Sequence, residues 1–141
     1  MDIATRLDAH PIGFTDDVRA AFANKHLVGR DDPLMTDDFY ERECAAGRLI
    51  IVEWSHEGEA LAYTALRRET YEGQSEMVVV GAVSLKPEMS VMHPVLTLLD
   101  EYARQWGCVS MRLHTSRTTL AAQVRVRGWS DAEIVMRKVL T

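Results

Sequence analysis

Three apolar runs separated by two short glycine turns occupy the middle of this chain: "RLIIVEW", "ALAYTALRRE" and "EMVVVGAVSL", joined by "SHEGE" and "TYEGQS". β-Branched and aromatic residues punctuated by Glu-Gly pairs predict an antiparallel meander. The third run does not turn back. It passes through "KPEMSVMH" into "PVLTLLDEYARQWG", where Val95, Leu98, Leu99, Tyr102 and Trp106 recur at helical spacing and Gly107 stops the helix. The strand-like "CVSMRLHT" follows. Two strands joined through a full helix are expected to be parallel neighbours, by the right-handed crossover. A meander that continues into a parallel crossover leaves few architectures open.

The flanks narrow them further. "FTDDVRAAFANKHL" offers Thr15 as N-cap, Asp16 and Asp17 for the first-turn dipole, and Val18, Ala21 and Phe22 as an apolar stripe. "TDDFYERECAAG" repeats the device with Thr36, Asp37 and Asp38, and Gly47 ends it. Beyond the crossover, "RTTLAAQVRVRG" predicts a shorter helix and "AEIVMRKVL" a closing strand; "DIATRL" is the candidate for a first strand. With 141 residues, 47% of them apolar, the chain is expected to form a single domain over 1–141. Its class is α/β or α+β, a mixed sheet with helices packed on it.

The net charge of −5 conceals an asymmetry: residues 1–76 hold eight Lys and Arg against sixteen Asp and Glu, and residues 77–141 hold eight against five. Such a split suits an anion-binding face or a solvated surface. Overall acidity disfavours nonspecific duplex binding, so nucleic acid is not an expected partner. No run has signal-peptide or membrane-spanning length, and the expected location is cytoplasmic, away from membranes. Cys44 and Cys108 lack a CxxC spacing and are expected as reduced thiols. The five histidines show no HxH, HxxxH or HExxH spacing, so no metal is expected.

The order of elements over residues 15–140 resembles the GNAT superfamily of acyl-CoA-dependent N-acyltransferases. "VVVGAVSL" is similar to that family's central bulged strand, with Gly81 inside it; "VLTLLDEYARQWGCVSMRLHT" is similar to its cofactor helix and following strand; and "RTTLAAQVRVRGW" is similar to its short helix ending in Gly128 and Trp129. The resemblance implies a mixed sheet with an antiparallel meander, a splayed parallel strand pair and helices on both faces. It implies acetyl-CoA or another acyl-CoA as cofactor, with pantetheine along Gly81, Val83 and Leu85, and phosphates near Ser90, His93 and Arg117. Glu76 takes the place of a general base and Tyr63 that of an acid. From the residues alone, Glu76 also reads as a solvated turn-edge carboxylate, Tyr63 as a packing residue beside Leu61 and Ala65, and His93 as a surface side chain.

Two positions depart from the family pattern. Where the family has an Arg/Gln-x-x-Gly-x-Gly/Ala loop that lets backbone N–H groups approach phosphate, this chain has Ser90, then His93, Pro94 and Val95. Pro94 removes an N–H and is expected to open the helix. Val124 stands where relatives often carry a general-acid tyrosine. The expected function is a divergent N-acyltransferase with a degenerate cofactor loop, acting on a small-molecule or protein amine. The alternative is a catalytically silent GNAT-like binding or structural module, as small phage-encoded proteins carry, with a protein partner. Homo-oligomers remain open under either.

Overall fold

A computed structural model describes residues 7–23, 28–29, 36–86, 89, 91–115 and 118–140. Among these residues six strands form one sheet: β1 (Asp8–Ile12), β2 (Val28–Gly29), β3 (Ile50–His56), β4 (Glu59–Tyr71), β5 (Gln74–Ser84) and β6 (Cys108–Leu113). Four helices among the described residues accompany them: α1 (Asp16–Phe22), α2 (Asp37–Ala45), α3 (Met92–Gln105) and α4 (Thr118–Arg125). β1, β3, β4 and β5 lie side by side, each antiparallel to the next.

The meander turns as the Glu-Gly pairs predict. Glu57 and Gly58 have φ of +50° and +81°, and Glu72 and Gly73 have +51° and +82°. Both central residues of each two-residue loop are thus left-handed, which matches the twist of the hairpins they close. β1 sits at Asp8–Ile12, wholly beyond the expected "DIATRL", of which residues 2–6 lie outside those described. Its Pro11 is tolerated because, among the described residues, β1 pairs with β3 alone, at a sheet edge.

β6 runs parallel to β5, with α3 crossing between them, and pairing ends at Val79 with Leu113. β5 continues five residues further, to Ser84. Along that extension its inner edge still pairs with β4, so β2, which pairs antiparallel with Gly81 and Ala82, occupies the outer edge. A bulge marks the same place. Ala65 opposes Gly81 while Leu66 opposes Val79, and Val80 is the extra residue.

The sheet buries apolar side chains on both faces. On one, Val95, Leu99 and Ala103 of α3 and Leu120 and Val124 of α4 pack with Val52, Trp54, Met77 and Val79. On the other, Val18 and Phe22 of α1 and Tyr40 of α2 pack with Ile51, Tyr63, Ala65 and Val80. Thr15 and Thr36 cap α1 and α2, accepting from the Val18 and Phe39 N–H groups at 3.2 Å each. The two helices are tied by stacked Phe14, Phe22 and Tyr40 rings and by Arg19, which reaches Asp37 and Glu41. The indole N–H of buried Trp54 donates to Thr64 Oγ1 at 3.0 Å, so this polar pair inside the core is satisfied.

Two expectations are corrected. α3 begins at Met92, which makes Pro94 its third residue rather than its first; the position still tolerates proline, since the first-turn N–H groups have no intrahelical acceptor. "AEIVMRKVL" is not a strand: residues 129–140 carry neither helix nor strand, and 130–140 are exposed. Its alternating pattern supplies strand propensity, but a strand exists only where a partner completes the ladder. Among the described residues, no helix is long and apolar enough to cross a membrane.

Candidate active site at the open end of β5

The extension of β5 beyond β6 is the place where the sheet leaves backbone groups to be addressed from outside. Gly81 lies at the bulge, and buried Val83 pairs with Tyr63. The Leu85 N–H donates inward to Leu61 O at 2.8 Å. By strand alternation, Ala82 and Ser84 rather than Val83 and Leu85 then turn their backbone groups to the outer edge. β2 already pairs at Ala82.

The phosphate side is less fully described. Ser90 and Arg117 lie outside the described residues. His93 is exposed in the first turn of α3, which has no side-chain cap and no acidic residue. Among the described residues, no side chain caps the first-turn N–H groups of Met92 and His93, and Pro94 has none to offer. An anion is compatible with this end, held by fewer donors than a glycine loop would give.

Tyr63 reaches the other side of the same open end. Cross-strand pairing with Val83 places it on the face covered by α1 and α2, next to Glu53 of β3, with which it also pairs. Burial pushes its phenol above the ordinary value, and the charges of Glu53 and of Asp17 on α1 push it further. One carboxylate on its paired strand and one on a helix thus act on the same buried tyrosine. Neither was singled out from sequence as a site residue, although Glu53 is the one charge inside "LIIVEW".

Glu76 is elsewhere. It lies five residues before Gly81, roughly 16 Å along the strand, where β5 is still paired with both β4 and β6. Its carboxylate accepts from Arg112 Nη1 at 3.0 Å and from Ser110 Oγ at 2.8 Å. Arg112 also donates to Glu69 at 2.9 Å. Burial works against both members of that second pair, yet the hydrogen bonds prevail: Glu69, bonded by Tyr71 and Arg112, is held below the usual carboxylate range, and Arg112 is held above its own. Val124, at the tyrosine position of the family pattern, is buried in the α3-side core.

Other chemistries find less support. Cys44 and Cys108 are free, and burial raises both thiols, which opposes a thiolate nucleophile. Among the described residues, no three His, Cys, Asp or Glu side chains are grouped to hold a metal ion.

No known family profile and no curated protein matches the chain in sequence. Solved structures do match it. Glucosamine-6-phosphate N-acetyltransferase from Arabidopsis thaliana aligns at 15% identity over 96% of this chain and 99% of that one, with a TM-score of 0.65. A possible acetyltransferase from Clostridium difficile 630 aligns at 9% identity over 96% and 99%, with a TM-score of 0.68. An aminoglycoside N-acetyltransferase solved in complex with CoA aligns at 15% identity over 95% and 94%, with a TM-score of 0.65. Identity this low speaks of architecture alone: this chain has the fold of the GNAT acetyltransferases.

Proposed function

We propose that the protein is an N-acyltransferase that moves an acyl group from acyl-CoA to a cationic amine, either a small molecule or a side chain of another protein. The observation that carries this reading is the placing of buried Tyr63 between Glu53 of β3 and Val83 of β5, at the open end of β5. Acyl-CoA, when bound, supplies the acyl group as a thioester. Ser84, beyond the residues that β2 covers, would meet its pantetheine, and Met92 and His93 its phosphates. Asp17, exposed on α1, draws the ammonium form of the acceptor. Glu53, half-buried, takes the proton that the amine must lose to become nucleophilic. Tyr63 stays protonated at neutral pH and returns a proton to the departing sulfur. Glu76 is assigned to the Arg112 ion pair and takes no part in proton transfer.

The test is a calorimetric titration with acetyl-CoA, followed by a thiol-release assay over a panel of polyamines and aminoglycosides. With one first-turn N–H missing and no glycine loop, the expected dissociation constant is on the order of a millimolar. Tyr63→Phe should leave that constant unchanged and lower kcat by roughly a hundredfold. Equal turnover in the variant removes Tyr63 from the mechanism.

A second reading has its own observation. β2 occupies the outer edge of β5 at Gly81 and Ala82, where pantetheine would pair. In that case the protein is a silent GNAT-like module that binds a protein partner. No heat with acetyl-CoA and no thiol release with any amine would select this reading over the first.

A further inference from the structure

β4 outruns its neighbour at the end of the sheet away from Val83. β3 begins at Ile50, opposite Leu66, and β4 runs five residues further, to Tyr71, with no strand on that side among the described residues. A cleft of about 730 Å³ opens at this step, lined by Arg48, Arg67 and Arg68, by Ile50, Leu66 and Trp106, and by no acidic residue among those described. Three cations thus meet inside the half of the sequence that holds sixteen acids against eight bases.

Each guanidinium is held in place and keeps donors in reserve. Arg48 Nε donates to Glu43, Arg67 Nη2 pairs with Glu69 at 3.1 Å, and Arg68 Nη1 donates to the Trp106 carbonyl at 3.1 Å. An arginine carries about five N–H donors, so most of each fork is uncommitted by these bonds. Arg67 Nε is enclosed with no hydrogen-bond partner, and it gains a bond if the guanidinium turns toward an oxygen in the cleft. The field of the group is felt by half-buried Glu43, held below the usual carboxylate range by the Arg48 hydrogen bond and then by the charges of Arg48, Arg67 and Arg42, against its desolvation. Beside the cations stands an aromatic wall: Trp106 is steadied by Tyr102, with ring centroids 5.2 Å apart.

We propose that this cleft binds a small organic phosphate monoester, with the phosphate among Arg48, Arg67 and Arg68 and a flat apolar body against Trp106 and Ile50. Three guanidinium forks from two elements suit the three outer oxygens and double charge of a phosphate better than the two oxygens and single charge of a carboxylate. The volume is that of a small-molecule pocket. The open edge of β4 is too short for an extended peptide to be held by backbone pairing alone, since only alternate residues of the five turn outward. The cleft shares no residue with the acyl-CoA and amine sites around Tyr63, Ser84 and His93, so it stands whether or not the chain transfers acyl groups.

Titration of the full chain with phenyl phosphate, followed by amide and indole chemical shifts at low ionic strength, tests this, with inorganic phosphate and benzoate as comparators. Shifts should gather at residues 47–50, 66–68 and 105–106, the Trp106 indole included. Phenyl phosphate should bind about tenfold more tightly than either comparator, since one lacks the ring and the other the second charge. The double substitution R48Q/R68Q, at two exposed positions, should weaken phenyl phosphate about tenfold or more with an unchanged circular dichroism spectrum. Should losing the bond to the Trp106 carbonyl loosen the end of α3, Arg68→Lys supplies the second arm: it keeps the charge, loses the fork, and should bind with intermediate affinity. Inorganic phosphate bound as tightly as phenyl phosphate would mean an adventitious ion only, and benzoate bound as tightly would remove the phosphate assignment. Absence of binding, shifts gathered at Met92 and His93 instead, or full affinity in R48Q/R68Q each overturns the proposal.

Discussion

The two ends of β5 are built for different purposes. From Ser75 to Val79 the strand is paired on both edges, Met77 is fully buried, and Arg112 bridges Glu69 and Glu76 across the ladder. From Val80 to Ser84 the parallel neighbour is gone, a bulge interrupts the register, and, among the described residues, the two of β2 stand at the outer edge. One strand is thus closed on both edges over half its length and interrupted at its outer edge over the other half. The carboxylate expected to do chemistry lies in the first half, and the tyrosine faces the second from β4, where it pairs with Val83.

Four substitutions set this contrast to work. The largest effect should come from Met77→Ala at the closed end, which empties a fully buried site and should cost about 2–5 kcal/mol by denaturant midpoint. A cost below about 1 kcal/mol would show that the closed end carries no special share of the stability. Arg112→Ala should come next, at about 1–2 kcal/mol, because it strips two carboxylates of charge-assisted bonds that solvent partly screens. Wild-type stability in that variant would make the cluster ornamental.

Glu69 gives a pH signature. Its folded pKa lies below its unfolded value of about 4.3, so its contribution is present above that value and is lost as pH falls through the folded one. Denaturant midpoints between pH 7 and pH 3 should therefore drop less steeply for Glu69→Gln than for wild type, by less than about 1 kcal/mol. Parallel curves would contradict the assignment. The smallest stability effect belongs to the open end: His93→Ala, at an exposed position, should change stability by less than about 0.5 kcal/mol while weakening acetyl-CoA binding a few-fold. A stability loss like that of Arg112→Ala would erase the distinction between the two ends.

Elements defined by nearby residues were legible in the sequence. Thr15 and Thr36 announce their helices, the Glu-Gly pairs their hairpins, and the intervening helix the parallel pairing of β5 with β6, because each signal acts within one element or one connection. Features that depend on distant partners were not legible. Glu76 meets Arg112 across 36 positions, and nothing near "SEMVVV" signals that its carboxylate is engaged. Tyr63 gathers Glu53 and Asp17 from a strand and a helix that sequence places apart. "AEIVMRKVL" has the composition of a strand and lacks the neighbour that would make it one, and "DAHPI" lacks the composition yet pairs fully with β3 at an edge.

Arg112 has one more consequence. Its guanidinium holds Glu69 of β4 and Glu76 of β5 from its seat on β6, so a single side chain spans three adjacent strands. Strands tied through a common cation do not fray one at a time: releasing β6 strands both carboxylates, and that repulsion loosens the β4–β5 hairpin beside its Glu72-Gly73 turn. The edge strand, the start of β5 and the end of β4 therefore form one cooperative opening unit, stable or lost together, while the bulged half of β5 breathes independently of it.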